Sequence, residues 1–320
     1  MQTFLYLTAH DVPCRIVATL PSEGLVVAHR DFLPTSLRPG PDLYLICLLA
    51  DRDEPGFIGR HPFAQFHMVQ NPTDRRVTHP EALWSAAYVP YWPQPGLVPR
   101  DPSRRDRFET AMFFGYPHNL AEQMREAAWA QQLLEMGLRW VIPHRARWHD
   151  YESADVVVAV RAFDDERAYE GKPASKLHNA WRAGVPAVLG RESAFQAYQR
   201  SPLDYIEVGS PEATLEALRQ LRDQPALRRD MAENGMARAR DVHPAQIAGR
   251  WRDILTHRLG PSYERWRGAS HSERQRFFDD RLIAEQRAAV IRNVHGPLYP
   301  PIDSDATGDV RPDSGAVTWR

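Results

Sequence analysis

Residues 172–186 read Lys-Pro-Ala-Ser-Lys-Leu-His-Asn-Ala-Trp-Arg-Ala-Gly-Val-Pro, a loop that turns into a short helix over 176–183 and stops at Gly184 before a buried strand over 187–190. At the start of that helix the backbone N–H groups of the first turn, the Ser175 hydroxyl and the Lys176 ammonium converge on one spot. Together they bind an anion, phosphate above all. A cation at a helix N-terminus opposes the macrodipole unless an anion is present, which favours a ligand over simple solvation of Lys176. Asn179 lies three residues on, along the same helical face, within reach of a neighbouring part of the same ligand.

Further candidates stand where strands are expected to end, because ligands of open parallel sheets bind beyond the carboxyl ends of the strands. Arg161 directly follows an expected strand over 155–160, and its planar fork suits two phosphate oxygens; the competing reading is a surface salt bridge to Asp164 or Asp165. Gly115-Tyr-Pro-His-Asn119 follows an expected strand over 110–115. A glycine turn there lets backbone approach a phosphate to which His118 or Asn119 donates, while N-capping of the next helix by Asn119 is an equal alternative. Glu192, two residues after Gly190, is placed either to accept from sugar hydroxyls or to oppose the dipole of the following helix. The polar loop between Arg161 and Lys172 reads as a lid or as a mobile connection. His10-Asp11, His29-Arg30-Asp31 and Asp51 flank expected strands, but nothing in the sequence puts one within reach of an acceptor hydroxyl, so no catalytic base is assigned. Other chemistries lack their motifs: there is no Gly-x-x-x-x-Gly-Lys-Ser/Thr loop, no Gly-x-Gly-x-x-Gly after a strand, no paired His-x-x-x-His beside a Glu, and no Gly-x-Ser-x-Gly elbow.

Residues 175–186 resemble the donor-site segment of the GT-B glycosyltransferases, Ser-Lys-Leu-x-Glu-Tyr-x-x-x-Gly-x-Pro, and align with it without a gap. Two positions depart from the pattern: Asn179 stands at the acidic position and Ala180 at the aromatic one. In that family the Lys contacts the diphosphate of a nucleotide sugar and the acidic residue hydrogen-bonds the ribose. The resemblance covers about residues 108–258 and is only architectural over the first hundred. It implies two Rossmann-like α/β domains facing each other across a cleft, the second holding a nucleoside diphosphate sugar as co-substrate, with no permanently bound cofactor. A glycan, lipid-linked or small-molecule acceptor would bind the first domain. Arg161 and Lys176 would neutralise the departing diphosphate without a metal ion, in a hexosyl transfer belonging to carbohydrate biosynthesis. Gly115, His118, Asn119, Ser175, Asn179 and Glu192 would hold the donor. Two rival readings stand beside this one: a sugar-nucleotide epimerase or glycosidic phosphorylase of the same architecture, and a catalytically silent protein that binds a nucleotide sugar or a protein partner. Asn179 is the feature that favours the silent reading.

The elements that must position these residues are legible in outline. Apolar runs over 15–20, 25–29, 43–49, 65–70 and 86–89 have strand length and composition, with 43–50 apolar throughout like a strand covered on both faces. Residues 91–107 carry four prolines and a charge run, and read as a linker or crossing segment, or as an interface packed through Trp92 and Pro95. Beyond them strands over 110–115, 138–142, 155–160, 187–190 and 205–208 alternate with helices over 119–136, 176–183, 193–198, 211–221, 226–240 and 244–258, the pattern of a doubly wound parallel sheet. Ser210-Pro211 marks one helix start by N-cap and first-turn proline. The expected division is an acceptor-side domain over 1–100, a nucleotide-sugar domain over 101–260, and a charged helix over 271–294 followed from Pro297 by a disordered tail.

Composition excludes several classes. A length of 320 residues suits two domains, and a net charge of −1 gives no global field for nucleic acid or an anionic membrane. Cys14 and Cys47 both lie in apolar runs and read as reduced, buried thiols. The N-terminus has no basic region and too short an apolar run for a signal peptide, and no stretch approaches the ~20 apolar residues of a transmembrane helix. These features point to a cytoplasmic location.

Overall fold

The computed structural model describes residues 1–49, 61–80, 83–163, 169–295 and 316–319. Its strands are β1 Arg15–Val17, β2 Gly24–His29, β3 Leu43–Leu49, β4 Phe66–Val69, β5 Ala86–Tyr88, β6 Thr110–Met112, β7 Arg139–Val141, β8 Val156–Ala159, β9 Ala187–Gly190, β10 Ile206–Val208 and β11 Ala316–Trp319. The α-helices are α1 Gln2–Ala9, α2 Arg75–Thr78, α3 Ala127–Glu135, α4 Ser175–Ala183, α5 Ser193–Gln196, α6 Pro211–Asp223, α7 Pro225–Arg238, α8 Pro244–Ile254, α9 Gly260–Gly268 and α10 His271–His295. The chain divides into two units. The first comprises Met1–Pro90, Glu170–Pro173 and Ile247–Arg320, and the second Tyr91–Tyr169 and Ala174–Gln246. Both boundaries differ from the expected 100/101 and 260/261, because the proline-rich segment joins the second unit and the C-terminal helices join the first.

The first unit carries a sheet of order β1-β11-β2-β3-β4-β5, parallel from β2 to β5. The unbroken apolar run of β3 takes its central place, paired to β2 on one side (Val26 opposite Leu45) and to β4 on the other (Ile46 opposite Phe66). The C-terminal helices pack on this sheet. Tyr263 of α9 donates to Asp42 O at 2.9 Å and accepts from Gly24 N–H at 3.1 Å, and Trp266 Nε1 donates to Gly40 O at 2.9 Å. Arg281 of α10 reaches Leu83 O and Ala64 O and lies over the Phe277 ring. The disorder expected from Pro297 fails at its end: Ala316–Trp319 form β11, antiparallel to both β1 and β2. Residues 296–315 lie outside the described residues. A strand of four residues held by two distant partners leaves no local signature in a Pro-, Asp-, Gly- and Ser-rich tail.

The second unit is a sheet of order β7-β6-β8-β9-β10 in which every pair is parallel. From β6 the chain moves to β7 on one side and then returns to β8 on the other, so the strand order reverses between β6 and β8. That reversal is where a doubly wound sheet opens its ligand crevice. The core is one contiguous cluster that includes Ala111, Val157, Leu177, Trp181, Val188 and Leu218.

Two expectations change here. Residues 91–107 are an integral part of the second unit: Val98 N–H donates to His149 O at 2.8 Å, and Arg100 N–H to Ala183 O at 3.0 Å. At the opposite end of the sheet from the crevice, the buried Asp155 carboxylate takes Arg100 at 2.8 Å, Arg104 at 2.6 Å and the N–H groups of Glu109 and Thr110 at 2.8 and 3.1 Å. Burial raises the pKa of this carboxyl, but these hydrogen bonds outweigh burial and hold it below the ordinary value. The single helix expected over 119–136 is instead two 3-10 turns, Pro117–Asn119 and Glu122–Met124, followed by α3. The polar groups that would have opened the helix are used elsewhere: Asn119 by Arg161, and Ala121 N–H by Val160 O at 2.8 Å.

Candidate functional site

Helix α4 is held by its inner face and its C-terminus, leaving its N-terminus for chemistry. Leu177, Ala180 and Trp181 are buried, and Trp181 Nε1 donates to Asp204 O at 2.8 Å. Behind it, α7 approaches so closely that a Cβ on Gly235 would meet Trp181 Cδ1 at 2.9 Å and Trp181 Cα at 3.3 Å. Asn234 beside it donates to Asp204 Oδ1 at 3.0 Å. Gly184 ends the helix in the left-handed conformation, φ 66° and ψ 36°, with Val185 N–H returning to Ala180 O at 3.0 Å. At the other end no side chain among the described residues caps the first turn, whose two opening residues are Ser175 and Lys176. An uncapped helix start of this kind attracts an anion by roughly 0.3–1 kcal/mol in exposed settings and up to ~2 kcal/mol when partly buried.

Three strand ends meet beside it. After β6 the chain passes Phe113, Phe114 and Gly115, and a Cβ on Gly115 would lie 2.7 Å from Phe113 Cζ. After β8 come Val160 and Arg161; after β9, Arg191 and Glu192. Gly190 allows β9 to close on β8, since a Cβ there would lie 3.0 Å from Val160 Cγ1. Side chains then join the three ends: Arg161 Nη1 donates to Asn119 Oδ1 at 2.9 Å, and Arg161 Nε lies 3.0 Å from Glu192 Oε1. The Lys176 ammonium sits 5.4 Å from the Phe113 ring centroid, over the end of β6. Tyr169 holds φ at 52°, a strained conformation for a bulky residue, and its ring centroid is 5.9 Å from the Arg161 guanidinium carbon.

The structure therefore gathers Asn119, Arg161 and Glu192 by direct contact, and sets Gly115, Ser175 and Lys176 at the same carboxyl edge. The Asp164 and Asp165 alternative for Arg161, and most of the loop that carries them, lie outside the described residues. His118 is exposed and stacked on Tyr116, ring centroids 5.4 Å apart. Asn179 turns inward: its Oδ1 accepts from Gln94 N–H at 3.0 Å, and its side chain is hydrogen-bonded to the buried Tyr151 hydroxyl, whose pKa burial raises. Glu192 occupies the N-cap position of α5 without a side-chain capping bond, so the dipole alternative stands on its charge alone. The Tyr169 ring and the Phe113 platform had no signal in the sequence.

Neighbouring titratable groups are structural. His178, on α4, is 2% exposed with no hydrogen-bond partner for either ring nitrogen among the described residues. Burial, followed by the nearby Arg238, pushes its pKa down to about 3, so it stays neutral near pH 7. In the first unit His10 ends α1, Asp11 has φ of 57°, Arg30 donates to Leu33 O, and Asp51 lies outside the described residues. His29 ends β2, with Nδ1 3.4 Å from Asp31 Oδ2 and accepting from Asp31 N–H at 3.3 Å. Among the described residues no group of three or more His, Cys, Asp or Glu is placed to hold a metal ion, and no helix is long and apolar enough to cross a membrane.

The set of groups is thus two cations, one buried carboxylate, an amide and a helix N-terminus at a topological switch point. It fits a phosphate-bearing ligand with hydroxyl groups beside the phosphate.

No protein-family model matches the chain, and no curated protein matches it by sequence. Solved structures do. Anabaena HepE in complex with UDP is 12% identical, with 67% of this chain covering 72% of that one at a TM-score of 0.50. Sucrose-phosphate synthase from Thermosynechococcus elongatus is 13% identical, covering 69% of each chain at a TM-score of 0.48. WaaG, a glycosyltransferase involved in lipopolysaccharide biosynthesis, is 16% identical over 68% of this chain and 79% of its own, with a TM-score of 0.42. At such identities the likeness is one of fold, and the fold is that of the GT-B glycosyltransferases, built from two Rossmann-like α/β units.

Proposed function

We propose that the chain is a glycosyltransferase that takes its sugar from a nucleoside diphosphate sugar bound by the second unit. What supports this reading is the α4 N-terminus without a side-chain cap among the described residues, with Lys176 in its first turn over the Phe113 ring, and Arg161, bonded to Asn119, at the carboxyl end of β8 beside the strand-order reversal between β6 and β8. Such a site holds a diphosphate and stabilises the charge that builds on it as the glycosidic C–O bond breaks and the leaving group keeps the electron pair. Lys176 faces the anion as a point charge, Arg161 as an oriented fork. The acceptor, a glycan, lipid-linked or small hydroxyl compound, binds the first unit, and its hydroxyl proton passes to the departing diphosphate or to solvent as the new C–O bond forms. Incubation with UDP-, GDP- and ADP-sugars and a panel of sugar acceptors, read by mass spectrometry, tests this: transfer to any acceptor supports it, and absence of both transfer and donor cleavage across the panel refutes it.

One observation favours a second reading. Asn179 is committed to Gln94 and Tyr151, so the position that contacts ribose in the resembling family makes a structural contact here. A catalytically silent nucleotide-sugar binder would bind a donor in the same assay and turn none over.

A further inference from the structure

The first unit holds a cavity of about 400 Å³ between the amino ends of its parallel strands and helices α9 and α10. On the sheet side it is lined by Tyr44, the second residue of β3, by Gln65, which precedes β4, and by Ser85, which precedes β5. Ligands of a parallel sheet bind at the opposite, carboxyl edge, so this cavity stands apart from the unit's expected substrate edge. The helix side follows from the turn between α9 and α10. Ser270 and Glu273 form a capping box: Ser270 N–H donates to Glu273 Oε2 at 2.7 Å, and Glu273 N–H to Ser270 Oγ at 3.2 Å. Arg274 donates to Ala269 O at the end of α9. The turn folds α10 back along α9 and brings the Trp266 and Phe277 rings to 5.0 Å between centroids.

The walls combine flat apolar surface with cations. Trp266 and Phe277 supply rings, and the buried Arg281 guanidinium carbon lies 3.5 Å from the Phe277 ring centroid and 4.7 Å from that of Trp84. Arg265 and Arg274 line the cavity as well, and among the described residues neither is ion-paired. Arg265 Nη2 donates to Ser262 Oγ at 2.8 Å. Against these three guanidinium groups stand two lining carboxylates, Glu273 and Asp280, which leaves an excess of one positive charge.

We propose that this cavity binds a small carboxylic acid built on a flat apolar ring, with the ring against Trp266 and Phe277 and the carboxylate on Arg265 and Arg274. A guanidinium fork matches a planar carboxylate in two parallel hydrogen bonds. A monoanion cancels the excess charge, whereas a phosphate dianion would overshoot it beside Glu273 and Asp280. The volume lies within the range of about 300–1,000 Å³ common to small-molecule sites, which pair apolar walls with a few polar groups in the same way. The cavity belongs to the first unit and the nucleotide-sugar site to the second, so this is a site additional to the proposed transfer. A ligand there touches both C-terminal helices and the strand ends, and so stabilises the packing of α9 and α10 on the sheet.

The test titrates indole-3-acetate and its neutral isostere indole-3-acetamide into the full chain, followed by NMR. The wild type is expected to bind the acid about tenfold more tightly than the amide. Arg265 is exposed, so Arg265→Gln leaves the fold intact, and it should bring the two affinities together. Ser85→Trp, which fills the cavity from the end of β5, should abolish binding of both, and thermal unfolding without ligand checks that each variant is folded. Phenylacetate and phenyl phosphate are compared in Lys176→Ala, where the second unit's phosphate site is weakened; phenylacetate should bind more tightly. Binding of neither indole by the wild type, equal binding of acid and amide, or affinities unchanged in both variants overturns the proposal. Tighter binding of phenyl phosphate overturns the carboxylate assignment. Loss of indole-3-acetate binding in Lys176→Ala places the acid in the second unit and overturns the proposal as well, while none of these results bears on nucleotide-sugar transfer.

Discussion

Substitution of Gly235 by Ala tests whether α7 sets the position of the site helix. The added Cβ would stand 2.9 Å from Trp181 Cδ1 and 3.3 Å from Trp181 Cα, and the second of these is backbone that can move only with α4. Overpacking of this kind costs about 1–3 kcal/mol. Against it runs the helix-propensity gain of about 1 kcal/mol that any interior Gly→Ala change brings. Gly249, in the middle of α8, has nothing within 4 Å of its hypothetical Cβ and isolates that gain. Gly249→Ala should therefore stabilise by about 0.5–1 kcal/mol, and Gly235→Ala should be worse than it by about 1–3 kcal/mol. Urea unfolding of each variant, read on the transition of the unit that carries the change, measures the difference. Equal stabilisation by both substitutions would refute the close α4–α7 contact, and with it the account of how α4 is fixed.

Other consequences follow from the buried charges. Asp155→Ala leaves Arg100 and Arg104 without their shared carboxylate and should cost about 3–5 kcal/mol in thermal or denaturant unfolding. Because the folded Asp155 pKa is depressed, its contribution is complete above the ordinary carboxylate value of 3.8 and is lost as pH falls below it, so the variant should lose its deficit in strong acid. His178 behaves in the same direction for a different reason: kept neutral by burial, it disfavours the folded state wherever the unfolded chain is protonated. Stability should fall by up to about 1.4 kcal/mol per pH unit from the model-peptide value of 6.5 down toward 3, and His178→Leu should flatten that slope in pH-dependent unfolding.

Much of the sheet of the second unit was readable because its inner strands β6, β8 and β9 are buried throughout. The Ala-Val-Leu-Gly run of β9 stands where its composition put it, and Ser210 caps α6 by accepting from Ala213 N–H at 3.1 Å, with Pro211 in the first turn. Lys176 stands in the first turn of α4, where the sequence put it. What the sequence hid depends on partners far along the chain. Asn119 reads as a phosphate donor or a helix cap, yet accepts from Arg161 forty-two residues away. Asn179 reads as a ligand contact on the face of Lys176, yet Tyr151 and Gln94 claim it, Gln94 from a segment that reads as a linker or as an interface. The pairing of Arg161 with Glu192 needs β8 and β9 side by side, which local pattern does not encode. Helix α1 escaped notice because a single residue, Leu7, is buried on it.

The central claim is that Lys176 and the α4 N-terminus form a phosphate-binding donor site. Thermal unfolding with UDP, GDP and ADP, each at a series of concentrations, for the wild type and for Lys176→Ala, tests it most directly. A ligand present at 100 times its Kd stabilises by about 2.7 kcal/mol. The account predicts that at least one nucleoside diphosphate stabilises the wild type in this way and that Lys176→Ala loses most of the shift while unfolding normally without ligand. Equal shifts in the two proteins, or no shift with any of the three, would contradict it.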